Sequence, residues 1–74
     1  MILSYTQRTI LHFIRTYIKE NGYPPTVAEI ADGVKLRSKS SVIHQLNTLE
    51  RGGFIRRDAN VARGLIILTE AELE

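Results

Sequence analysis

Between Ile10 and Ile18 the apolar residues Ile10, Leu11, Ile14, Tyr17 and Ile18 stand at i, i+1, i+4, i+7 and i+8. That spacing makes one stripe on an α-helix, and Phe13 widens it. Upstream, Ser4-Tyr5-Thr6-Gln7 has the S-x-x-Q form of a capping box, in which hydroxyl and amide satisfy backbone N–H groups that a helix start leaves unpaired. Gly22 offers a C-terminal stop and Pro24-Pro25 forbid continuation, so the pattern predicts a helix from Tyr5 to Asn21. A second capping box, Thr26-Val27-Ala28-Glu29, precedes the stripe Val27, Ile30, Ala31, Val34. A helix of about two turns is marginal alone, so this one must dock on the first. Gly33 near its end weakens it. A third stripe, Val42, Leu46 and Leu49, predicts a helix capped by Ser38 or Ser40 and ended by Gly52-Gly53 after about Arg51. Beyond it, residues 54–57 and 65–68 read as short strands, the second rich in β-branched residues. Asp58 and Asn60 favour a turn between them, which predicts a hairpin with a moderately long tip. Residues 70–74 are expected to be a frayed acidic tail or the start of a linker.

Length then bounds the reading. The chain has 74 residues, enough for one domain, and a core of this size rarely supplies more than about 3–5 kcal/mol. A deep catalytic pocket is hard to build at this length, and no enzymatic activity is expected. There is no cysteine, which excludes disulfides and thiolate metal sites. No apolar run approaches the roughly 18 residues of a membrane helix, and the N-terminus lacks the basic start of a signal peptide.

The net charge of +2 conceals an asymmetry. Residues 1–34 are neutral. Residues 35–63 carry seven cations against Glu50 and Asp58, a net of +5, and residues 64–74 carry −3. A basic middle in so small a domain is the footprint of a polyanionic partner, with a merely solvated basic face as the alternative. Helix, helix, short break, helix and hairpin, with the basic charge on the last two, is the plan of a mainly α (α+β) winged helix-turn-helix over residues 1–69. The hairpin is its two-stranded wing.

On that plan the third helix lies in a DNA major groove. Its polar face suits groove readout: Ser40, Ser41, His44 and Gln45 can exchange hydrogen bonds with base edges, and Ile43 can meet a thymine methyl. The plainer readings are the rim of the core for Ile43 and an ordinary exposed histidine for His44. A metal site is not expected, because the other histidine, His12, belongs to a different helix. Lys35, Arg37, Lys39, Arg51, Arg57 and Arg63 are the expected phosphate contacts, which set register and affinity without reading sequence. Adjacent Arg56 and Arg57 must point to opposite sides of their strand. A competing reading is a protein-interaction module, since Ile66 and Leu68 share one strand face that could stay exposed.

The stretches "GYPPTVAEIADGVKLRSKSSVIHQLNTLERGGFIRRD" and "ARGLIIL" resemble the DNA-binding domain of the LexA family, bacterial repressors of the SOS response. The resemblance is carried by Pro-Pro-Thr before the second helix, Glu-Ile-Ala inside it, Arg-Ser opening the third, the Leu-x-x-Leu-Glu-x-x-Gly-x-Ile-x-Arg run, and Arg-Gly after the wing tip. It covers roughly residues 3–68. It implies a repressor that occupies a palindromic duplex operator in the bacterial cytoplasm and nucleoid, with no cofactor, small molecule or membrane. It further implies base-reading roles for Ser38, Ser40, Ser41, Ile43 and His44. The chain departs from the family at Lys35, where glycine is usual, and at Ile43-His44, so the family's operator does not transfer. Family members also carry a self-cleaving domain with a Ser–Lys dyad, which dimerises them. This chain has no such chemistry, so the expectation is a DNA-binding fragment or a stand-alone relative, monomeric alone and paired on DNA or through that other domain.

Overall fold

The computed structural model describes residues 3–36, 38–58 and 60–68. The acidic tail expected over residues 70–74, and Arg37, lie outside the described residues. The helices are α1 (Tyr5–Asn21), α2 (Val27–Gly33) and α3 (Lys39–Arg51), and the strands are β1 (Ile55–Arg57) and β2 (Leu65–Ile67).

Both capping boxes form. Ser4 Oγ accepts from the Gln7 N–H at 3.1 Å while Gln7 Oε1 accepts from the Ser4 N–H at 3.0 Å. Thr26 and Glu29 repeat the arrangement at 3.2 and 2.8 Å. For α3 the cap is Ser38, whose Oγ accepts from the Ser41 N–H at 3.2 Å.

Two helices end on the same turn with different residues. After α3, Gly53 takes φ +82° and the Phe54 N–H reaches back five residues to the Leu49 carbonyl at 3.0 Å. After α2, Leu36 bonds to the Ala31 carbonyl in the same manner at 3.0 Å, and the left-handed position between falls on Lys35, at φ +62°. The geometry is the Schellman turn, which favours glycine there. A lysine in that conformation costs about 1–2 kcal/mol.

The strands pair antiparallel with Ile55 opposite Ile67, Arg56 opposite Ile66 and Arg57 opposite Leu65. Each is one residue shorter than the sequence suggests, although Leu68 N–H still bonds to the Phe54 carbonyl at 2.8 Å. Asp58 N–H to the Gly64 carbonyl, 2.7 Å, closes the tip. The Asp58 carboxylate accepts from the Asn60 N–H at 3.0 Å.

Every element except β2 sends at least one fully buried side chain inward: Ile10, Leu11 and Ile14 from α1, Ile30 from α2, Val42, Leu46 and Leu49 from α3, and Ile55 from β1. Leu3, Phe54 and Leu65 complete the core. Gly33 is a packing position as well as a weak helix former. A Cβ there would stand 2.1 Å from the Phe13 ring, so the bare backbone gives that ring its place. Ile66 does not join the core and is 56% exposed.

Candidate nucleic-acid interface

Because Val42, Leu46 and Leu49 turn inward, the residues between them turn out. Ser40, Ser41 and His44 are exposed, Ile43 is 41% exposed, and Gln45 is half-buried. Among the described residues nothing hydrogen-bonds the Ser40 hydroxyl or the His44 imidazole. Ser38 is differently placed: its hydroxyl caps α3 and lies 3.2 Å from Ser41 Oγ, so these two hydroxyls partly satisfy one another. Ile43 also lines a groove with Pro25, Val27 and Val61 where α2, α3 and the wing meet, so it is both core rim and surface.

The expected phosphate contacts divide. Lys35 and Lys39 are exposed and without an ion pair or hydrogen bond among the described residues. Both flank the start of α3. Arg51, at the far end, is exposed and donates weakly to Thr48 Oγ1 at 3.4 Å.

Two of the three wing arginines, Arg57 and Arg63, make contacts within the fold. Arg57 folds onto α3, meeting Glu50 at 3.5 Å and donating to Asn47 Oδ1; its side chain is 23% exposed. Arg56 points the other way and is exposed, as the alternation requires. Arg63 does not reach out from the wing tip. Its Nη1 donates to Glu29 Oε1 at 2.8 Å and to the Pro24 carbonyl at 2.8 Å, and its Nη2 donates to Glu29 Oε2 at 3.1 Å. The guanidinium also sits 4.7 Å over the Tyr23 ring. Such a fork on a carboxylate is the strong form of an ion pair.

The electrostatics follow from that fork. Arg63, and then the Thr26 N–H, hold the Glu29 carboxyl down to about 2. Glu29 in return raises the proton affinity of the guanidinium above its ordinary value. The Tyr17 phenol lies against the same pair, and burial raises its pKa. Read from sequence alone, Pro24 is only a helix stop and Tyr23 has no role. Glu29 was legible only as a cap, and nothing local marks a partner 34 positions away.

A family model, the LexA DNA binding domain, matches residues 2–64. The chain is 56% identical over 63 residues to LexA repressors of Mycobacterium ulcerans and Mycobacteroides abscessus, covering 85% of this chain and 26% and 28% of theirs. The LexA repressor of Mycobacterium leprae is equally similar, again at 56% over 63 residues. The chain thus spans about a quarter of the length of the curated relatives it matches.

Proposed function

The chain belongs to the LexA DNA-binding domain family, and we propose that it recognises a particular stretch of duplex DNA and represses transcription by occupying it. The observation that carries this is the outer face of α3. Among the described residues, Ser40 and His44 are exposed with side chains that have no hydrogen-bond partner, beside Ile43, and Lys35 and Lys39 at the helix start are unpaired. Donors and acceptors left open on a recognition helix are the groups that base edges can satisfy. The cations beside them would meet the phosphates and fix the register, together with Arg37 and Arg51.

Ser40, Ser41, Ile43 and His44 would read bases, with Ser38 holding the helix start and Gln45 at the edge of the contact. Two copies would sit on a palindrome in the bacterial nucleoid, with half-site centres about 10–10.5 base pairs apart or a multiple of that.

Selection from random duplexes followed by salt titration tests the reading. One preferred sequence should emerge, and its affinity should fall steeply between about 50 and 200 mM salt. Lys39→Ala should weaken every duplex by a similar factor and lower the salt slope by about one unit. Absence of any preferred duplex, or binding indifferent to salt, would sink the proposal.

A further inference from the structure

A two-stranded hairpin is marginal by itself in water. Here the strands are three residues each, so the wing needs an outside anchor if it is to hold one place beside α3. Ile55 and Leu65 in the core and Arg57 on Glu50 hold its base, and beside Arg63, next to the tip, the anchor is one carboxylate. Glu29 stands at the third position of α2, where its Oε1 accepts from the Thr26 N–H at 2.8 Å. The same carboxylate takes both arms of Arg63 from the wing. One group therefore closes the start of the helix-turn-helix and fastens the wing to it. The remaining contacts point the same way. The Pro24 carbonyl accepts from Arg63, the Tyr23 ring lies under it, and ring contacts run edge-on from Tyr23 to Tyr17 and tilted from Tyr17 to Phe13, each with centroids 5.9 Å apart. The chain of rings leads from the wing to α1.

We propose that Glu29, acting through Arg63, is a positioning residue for DNA binding: it sets where the wing stands relative to α3 without touching the duplex. This rests on the DNA-binding reading above. It differs from a phosphate role for Arg63 in the sign of one effect. If Arg63 were a phosphate contact, removing its carboxylate would free it and tighten binding. If Glu29 positions the wing, removing the charge loosens binding, although the change itself makes the protein more positive.

The experiment uses the full chain and the duplex selected above. Glu29→Gln keeps an oxygen for the Thr26 N–H, so the cap survives while the charge goes. Glu29→Gln and Arg63→Ala should each lower affinity for the preferred duplex about tenfold or more, and the double variant should lose no more than either alone. The salt slope of Arg63→Ala should stay within half a unit of the parent, where loss of a phosphate contact removes about one. Arg63→Lys keeps the charge and loses the fork, so it should not rescue. Amide exchange at Asp58, Val61 and Gly64, read without DNA, should speed up in Glu29→Gln while the exchange of Leu46 and Leu49 holds. Tighter binding by Glu29→Gln, rescue by Arg63→Lys, or a slope lower by one unit would overturn the proposal, as would unchanged wing exchange. A parent chain that selects no duplex would overturn the DNA reading and the role given to Glu29 with it, and the exchange arm would still decide whether the carboxylate anchors the wing.

Discussion

The start of α3 and the wing are both basic, yet their cations behave oppositely. At the start of α3, Lys35 and Lys39 have no partner among the described residues. In the wing, Arg57 is held by Glu50 and Asn47, and Arg63 by Glu29, Pro24 and Tyr23. Counting charge along the chain merges these two groups. The difference teaches that an arginine's planar fork is readily taken up by a carboxylate within the fold, while a lysine's point charge on a flexible stem is more easily left facing out. One region is available to a partner and the other is committed to geometry.

The largest effect should come from the floor the two regions share. Leu46 is fully buried and lines the groove between α2, α3 and the wing. Leu46→Ala should cost about 2–5 kcal/mol. In a domain with roughly that much in total, thermal melting should show both regions lost together. Next in size is His44→Ala, on the available side. It should cost about 1–3 kcal/mol on the preferred duplex, little on a scrambled one, and leave stability within about ±0.5 kcal/mol. An equal loss on both duplexes would make His44 a backbone contact. Lys35→Gly separates stability from binding at one position. Relief of the left-handed lysine should stabilise by about 0.5–1 kcal/mol after the added freedom of the unfolded chain is subtracted, while the lost cation weakens every duplex; a drop in melting temperature would show that Lys35 is not strained. The smallest effect near neutrality is the acid response of the wing. Glu29 releases its proton at about 2 in the fold against 4.5 ordinarily, so the folded chain binds fewer protons between these values. The pair's contribution is complete above about 4.5 and is lost as pH falls towards 2. Tyrosine fluorescence should report that loss, and Glu29→Gln should abolish the pH dependence.

The helices were legible because their signals are local. Ser4, Gln7, Thr26 and Glu29 write their caps within four residues, and α1 begins and ends where periodicity and Gly22 place it. The exposed set on α3 was legible for the same reason, since burial of Val42 and Leu46 dictates what faces out. Lys35 stood out because glycine is usual there in the family the chain resembles, and its φ of +62° agrees. What the sequence did not give away depends on distant neighbours. The pairing of Arg63 with Glu29 was not legible because it spans 34 positions and no local pattern marks such a partner. Gly33 read as a weak spot because the Phe13 ring that needs its bare backbone belongs to another helix. Choosing Ser38 over Ser40 as the cap needed the backbone itself, extended at φ −140° and ψ 152°.

Arg56 stands across the hairpin from Ile66, both on the outward face of the sheet, with Leu68 also exposed nearby. An apolar strand edge left in water invites strands of other molecules to add to it, and a charged side chain beside such an edge discourages that. Arg56 therefore bears on colloidal behaviour: replacing it with an apolar residue would turn a short, guarded edge into a seed for self-association in concentrated solution.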